Sequence, residues 1–208
     1  MPRPVFRLSA LVPPVLALAG TAAAQEGPSF DCTAAESSAE TLVCEDAALA
    51  ALDRRVAERY AAALALAEGL DAGAEEAADD LRAYQRGWIK GRDECWKTDD
   101  LRACVEESYL RREAELVSQW MLEEPVGMAT WICDGNPANE VVTIFYDTEL
   151  PAVRFERGDT IDTGVVVRTG SGSRYDGSFG RYIWMKGHEA TYRDPDPDGA
   201  EMSCTEAE

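Results

Sequence analysis

The sequence predicts an α+β protein of two domains: a helical N-terminal domain cross-linked by disulfides, followed by a small antiparallel β-barrel or sandwich. Hydrophobic residues recur at helical spacing over residues 28–122, and with a period of two after the segment 123–127, which contains Pro and Gly. The 208 residues include six cysteines, an even number typical of disulfides in exported proteins. We therefore expect a helical domain over residues 28–122 and a β domain over residues 128–206.

The first two predicted helices begin at capping residues. Ser37 and Glu40 have the spacing of a capping box, and Asp46 precedes a second hydrophobic pattern. The buried side of this second helix is predicted from positions three and four residues apart: Leu49, Leu52, Val56, Tyr60 and Leu64.

The third and fourth helices follow a break at residues 69–73, which begin and end with glycine. The third helix is expected to end near Gly91, and Asp99 and Asp100 can cap the fourth. The predicted buried stripe of the third helix consists of Leu81, Tyr84 and Trp88. That of the fourth consists of Leu101, Val105, Tyr109, Leu116 and Trp120.

Runs of β-branched and aromatic residues predict strands in the C-terminal domain. They lie at residues 141–146, 152–156, 165–167 and 182–185. Turn residues separate the runs: Asp147, Gly158, Asp159, Asp176, Gly177 and Gly187. Short strands at this spacing indicate antiparallel pairing in a small barrel or sandwich.

The N-terminal residues 1–24 have the features of a secretory signal peptide. Arg3 and Arg7 precede an apolar stretch, and residues 22–24 are alanines that suit signal cleavage. The apolar stretch is too short to span a bilayer. Gln25 follows the expected cleavage position, where a lipoprotein would need cysteine. We therefore expect a soluble periplasmic or secreted protein with no membrane anchor.

The charge of the chain restricts its partners. The formal net charge is -19 at pH 7, so the surface repels nucleic acid and anionic lipid. Such a charge favours a basic partner through long-range attraction, although solubility alone also accounts for it.

The cysteine spacing favours local disulfides, although six cysteines allow many connectivities. The expected pairs are Cys32–Cys44, Cys95–Cys104 and Cys133–Cys204. A metal site is not expected, because no Cys-x-x-Cys occurs and His188 is the only histidine.

No constellation in the sequence favours catalysis, and we expect neither an enzyme nor a cofactor. His188 has no Gly-x-Ser-x-Gly motif to accompany it, which argues against a catalytic triad. Residues 194–199 begin like a calcium loop, but Thr205 stands where the bidentate glutamate should be. We interpret Trp88 and Trp120 as core residues, whereas Trp184 suits either the core or a binding surface.

Two motifs in the β domain carry a more specific signal. The first is Arg168-Thr169-Gly170-Ser171-Gly172-Ser173-Arg174-Tyr175, and the second is Trp184-Met185-Lys186-Gly187-His188-Glu189-Ala190. With Cys133 and Cys204, these motifs resemble the MliC family of inhibitors of c-type lysozyme over residues 130–206. The resemblance implies an eight-stranded antiparallel β-barrel whose Ser171 and Lys186 enter the lysozyme active site.

The chemistry of these two residues agrees with the role that the resemblance implies. A c-type lysozyme uses two carboxylates with separated pKa values. An ammonium on a flexible stem can neutralise one carboxylate, and a hydroxyl can donate to the other. The other expected lysozyme-binding residues, at or beside these loops, are Gly172, Ser173, Arg174, Tyr175 and Gly187. We expect an Arg174–Tyr175 contact to hold the first loop in place.

The helical domain resembles the LprI-type lysozyme-inhibitor domain over residues 30–116. The resemblance rests on Phe30-Asp31-Cys32, Glu40, Cys44, Leu49, Leu52-Asp53, Tyr60, Gln85, Trp88, Arg92, Cys95, Cys104 and Tyr109. It implies fold and disulfides but assigns no site residues. The competing hypothesis is an envelope binding or scaffolding module that does not inhibit lysozyme.

Overall fold

The computed structural model describes residues 27–197 and 199–207, so the predicted signal peptide lies outside the described residues. The predicted fold class is confirmed: four α-helices precede eight antiparallel strands that close into a barrel. The helices are α1 Ser38–Glu45, α2 Ala47–Glu68, α3 Ala74–Asp93 and α4 Leu101–Trp120. The strands are β1 Gly127–Cys133, β2 Glu140–Tyr146, β3 Ala152–Arg157, β4 Thr160–Val167, β5 Ser173–Asp176, β6 Tyr182–Lys186, β7 Glu189–Arg193 and β8 Glu201–Glu206. None of the helices in these ranges is long and apolar enough to cross a membrane.

The N-termini of α1, α2 and α4 are capped at the predicted residues. The Ser37 hydroxyl accepts from the Glu40 amide at 3.0 Å, and the Glu40 carboxylate accepts from the Ser37 amide at 3.1 Å. Asp46 and Asp100 cap α2 and α4 through their carboxylates. These bonds satisfy amides that have no partner inside the helix, and each cap stabilises its helix by about 1 kcal/mol.

The helical core is organised around Tyr109 of α4, which is fully buried. Its hydroxyl donates to Asp53 of α2 at 2.9 Å and accepts from Arg92 of α3 at 2.7 Å. The Trp88 ring meets the Tyr109 ring edge-on, with centroids 5.1 Å apart. Burial, together with Asp53, raises the pKa of Tyr109 well above its usual range. A buried polar network therefore joins three helices.

The barrel closes because β8 pairs with β1, with Cys133 opposite Cys204 in the register. All three expected disulfides are present: Cys32–Cys44, Cys95–Cys104 and Cys133–Cys204. The third one links the first strand to the last, so it fastens the closing seam covalently. The largest buried side chains inside the barrel are Trp131, Phe155, Ile183 and Tyr192.

Helix α4 packs along the β2–β3–β4 side of the barrel. Its residues Ala114 and Val117 share a buried apolar cluster with Tyr146, Ala152 and Val165. In the closed strand order, β6, β7 and β8 lie away from this side. The helical domain therefore leaves the β6–β8 side of the barrel open.

Two arginines add polar links between the helices and the barrel. The buried Arg154 donates from Nη1 to the Gln119 carbonyl at 2.6 Å, near the C-terminus of α4. Arg55 of α2 reaches Glu113 of α4 at 2.6 Å and Glu149 of the β2–β3 loop at 2.7 Å. Helices and barrel are thus joined by apolar packing and by charge-assisted hydrogen bonds.

The predicted burial of Tyr84 is wrong, because its side chain is 68% exposed. The neighbouring part of α4 presents the ion pair of Arg112 and Glu115, 2.8 Å apart, rather than apolar side chains. The interpretation of Trp88 and Trp120 as core residues is confirmed, since both pack against the buried helical cluster.

Tyr109→Phe should destabilise the helical domain by about 2 kcal/mol, because it leaves the buried Asp53 and Arg92 without their shared partner. Urea unfolding followed by circular dichroism measures this change. Tyr84→Phe is the matched control, since its hydroxyl belongs to an exposed side chain and its loss should have almost no effect. Equal effects of the two substitutions would contradict the proposed importance of the buried network.

Candidate functional site

The two sequence motifs meet at one end of the barrel. In an antiparallel barrel, alternate loops lie at the same end, which brings the β4–β5 loop (168–172) beside the β6–β7 turn (187–188). The β2–β3 loop (147–151) lies at this end as well. We call the end formed by residues 168–172 and 186–188 the motif end.

The β4–β5 loop is held by hydrogen bonds to its own carbonyl groups. The Thr169 hydroxyl lies 3.1 Å from the Ser171 carbonyl and 3.0 Å from that of Gly172. The Trp184 indole N–H donates to the Ser171 carbonyl at 2.9 Å. Ser171 is exposed, and its hydroxyl makes no hydrogen bond within residues 27–197 and 199–207. The loop therefore presents a free hydroxyl on a fixed backbone.

Gly172 allows this loop to lie directly against β6. Its φ is +71°, a left-handed conformation that favours glycine. A Cβ there would stand 2.3 Å from the Met185 carbonyl oxygen and 2.8 Å from Cγ of Lys186. The structure thus brings the Ser171 loop against the side-chain stem of Lys186.

Lys186 ends β6 and is exposed. Its ammonium lies 4.0 Å from the centroid of the Trp184 ring, a distance suited to a cation–π interaction. Within the part of the chain that the structure describes, no carboxylate lies within 4.0 Å of this ammonium. Glu189 is its register partner on β7, across a two-residue turn that begins at Gly187, with φ +65°.

The expected Arg174–Tyr175 contact is wrong, because neighbouring strand residues point to opposite faces of the sheet. Arg174 points outward, bonds the Asp176 carboxylate at 2.6 Å and stacks 3.9 Å from the Tyr182 ring centroid. Tyr175 instead packs against Phe145, with centroids 5.3 Å apart. Burial, and then Asp147, raise the pKa of the Tyr175 phenol. The arginine–tyrosine stack exists, but Tyr182 supplies its ring.

Trp184 is the positioning residue whose importance the sequence left open. Its N–H holds the Ser171 carbonyl, and its ring lies under the Lys186 ammonium. The sequence feature that indicates this role is the spacing Trp-x-Lys, which places both side chains on one face of a strand. Together with Thr191, Ser203 and Thr205 they line a shallow groove on the outer face of β6–β8.

The acidic turn after β7 offers no metal centre among the described residues. Asp194 pairs with Arg157 at 2.5 Å, and Asp196 pairs with Arg193 at 2.6 Å. Asp198 lies outside the described residues. The two described carboxylates are therefore engaged by guanidinium groups of β3 and β7.

Comparison with known proteins matches the helical domain and the barrel to two different protein families. Residues 32–116 match the family described as lysozyme inhibitor LprI, and residues 131–201 match the membrane-bound lysozyme-inhibitor of c-type lysozyme. Similar proteins named lipoprotein LprI occur in Mycobacterium bovis and Mycobacterium tuberculosis, 31% identical over 188 residues, covering 89% of this chain and 88% of each relative. No solved structure matches the chain significantly.

Gly172→Ala should destabilise the barrel by about 2 kcal/mol or more, because it combines a positive φ with a collision against backbone. Gly187→Ala is the matched control, since its φ is also positive but open space surrounds a Cβ there. It should cost about 1 kcal/mol. Denaturant midpoints and the NMR shift of the Trp184 indole proton would measure both, and an unmoved indole signal in Gly172→Ala would contradict the close fit.

Proposed function

The chain belongs to the LprI family, and we propose that it inhibits c-type lysozyme by inserting its motif end into the active-site cleft. Both matched families are families of lysozyme inhibitors. The observation that carries the proposal is the proximity of two groups on adjoining segments. Among the described residues, the Ser171 hydroxyl makes no hydrogen bond and the Lys186 ammonium has no carboxylate within 4.0 Å.

The chemistry of the cleft suits these two groups. A c-type lysozyme holds one carboxyl that acts as an acid and one that stays ionised. The Lys186 ammonium pairs with an ionised carboxylate, and the Ser171 hydroxyl donates a hydrogen bond to the other group. The inhibitor thereby fills the place of the substrate and satisfies the groups that would act on it.

Charge favours the encounter of the two proteins. The net charge of -19 attracts a basic enzyme over long distances and raises the association rate. Because the helices pack on the β2–β4 side, the β5–β7 edge of the motif end stays accessible to a large partner. The fixed loop also lowers the entropic cost of binding.

The proposal requires the inhibitor and the lysozyme to be in the same compartment. Residues 1–24 resemble a signal peptide, and three disulfides are typical of an oxidising compartment. We therefore place the protein outside the cytoplasm, in the periplasm or secreted, where a lysozyme that attacks the cell wall would be met.

Lys186→Ala should raise the inhibition constant about 30-fold, because removing a charged anchor from a desolvated cleft commonly costs ~2 kcal/mol. The assay is lysis of a bacterial suspension by c-type lysozyme at increasing concentrations of the oxidised protein. Lys90→Ala is the matched control, since Lys90 is also an exposed lysine but lies on α3. Ser171→Ala should have a smaller effect, as it removes a neutral hydrogen bond.

Two outcomes would distinguish an error in the proposed mechanism, insertion of Lys186, from an error in the proposed activity, inhibition of lysozyme. An inhibition constant that is unchanged in Lys186→Ala, with the wild-type protein still inhibiting, would refute cleft insertion through this residue. A wild-type protein that binds sedimented peptidoglycan, yet leaves lysis unaffected at large excess, would favour an envelope binding module instead.

Trp184→Phe should weaken inhibition by several-fold, because it keeps an aromatic ring under Lys186 but removes the donor to the Ser171 carbonyl. Circular dichroism should show an unchanged fold. The weaker binding should appear in surface plasmon resonance as slower association or faster dissociation of the lysozyme complex. Kinetics equal to those of the wild type would show that the indole N–H does not position the loop.

A further inference from the structure

The cations of the barrel divide into two groups by their partners. Five arginines each lie within 3.3 Å of a carboxylate oxygen: Arg154, Arg157, Arg174, Arg181 and Arg193. Within the described part of the barrel, Arg168 and Lys186 have no carboxylate within 4.0 Å. Both are exposed, and both lie at the motif end.

The chain carries 39 acidic residues. Carboxylates are numerous enough to pair with every other cation of the barrel, yet the two at the motif end stay free. A free guanidinium keeps all five donors available for a planar, two-bond contact with a carboxylate.

Arg168 and Lys186 stand on opposite sides of the Ser171 loop. Val167 pairs with Arg174 on β5, and Arg174 pairs with Trp184 on β6, so two strand spacings, about 10 Å, separate the backbones of β4 and β6. Between the two cations, residues 169–173 carry only small side chains. The motif end is therefore a loop of small residues flanked by two exposed, positively charged side chains.

We propose that Arg168 is the second cation of the lysozyme-binding surface and pairs with the cleft carboxyl group that Lys186 does not reach. This inference rests on the proposed function. The catalytic carboxyl groups of a retaining glycosidase stand about 5 Å apart, a separation that two long side chains approaching from either side of a loop can match. Ser171 then contributes a hydrogen bond to a carboxyl whose charge Arg168 balances.

Arg168→Ala should raise the inhibition constant about tenfold, and Arg168→Lys should raise it less, because lysine keeps the charge but lacks the planar fork. Arg86→Ala is the matched control: Arg86 is exposed on α3, and no carboxylate of the described chain lies within 4.0 Å of it. Like Arg168→Ala, it makes the net charge more negative by one unit, so it reports the effect of net charge on long-range attraction alone. Equal effects of Arg168→Ala and Arg86→Ala would overturn the proposal.

Proton release on binding gives a second readout that a structural role would not change. One cleft carboxyl of lysozyme has a pKa near 6, so at pH 6 about half of it is protonated. Two cations facing two carboxyl groups require both to ionise, which releases protons as the complex forms. Calorimetry at pH 6 in two buffers of different ionisation enthalpy measures the number of protons released per complex.

The wild-type protein should release about half a proton per complex, and Arg168→Ala should release clearly less. Arg86→Ala should match the wild type. A proton release that Arg168→Ala leaves unchanged would show that Arg168 faces neither carboxyl group, even if inhibition weakened. A wild-type protein that fails to inhibit would contradict the proposed function itself, which is a separate result from a normal inhibitor that tolerates Arg168→Ala.

Discussion

The Trp184 indole is the interaction on which the motif end depends. Its N–H fixes the carbonyl of Ser171, and its face supports the ammonium of Lys186, so one side chain sets the position of both groups. The indole is itself placed by β6, which is paired on both sides, with β5 and with β7. A displacement of β6 would therefore move the hydroxyl and the ammonium together.

The closed barrel explains how so short a loop can be held in place. A barrel has no free edge, and the Cys133–Cys204 disulfide lies at the seam where the first and last strands meet. Helix α4 adds a second support along β2–β4, and Arg154 ties its C-terminal turn to the barrel wall. The helical domain thus stabilises the side opposite the open groove. The consequence is a rigid loop whose ordering cost has been met during folding rather than on binding.

Much of this architecture could be predicted from local signals. Helix caps at Ser37, Asp46 and Asp100 depend on residues a few positions apart, and these predictions are confirmed. The strand β5 was not among the predicted strands, because its four residues are too few to show a period. Only pairing with β4 and β6 makes them a strand. Tyr84 was misassigned for a similar reason. Its burial depends on which side chains of α4 lie next to it, and the sequence pattern of α3 alone does not contain that information.

The net charge of the molecule and the charge of the motif end have opposite signs. At long range the chain is strongly acidic, which suits attraction to a basic enzyme. At short range the motif end carries positive groups that have no carboxylate partner in the described part of the chain, which suits a cleft lined by carboxylates. Salt screens the long-range attraction more than it screens a desolvated pair. The association rate of a lysozyme complex should therefore depend on the overall charge, whereas its lifetime should depend on the few residues around Trp184.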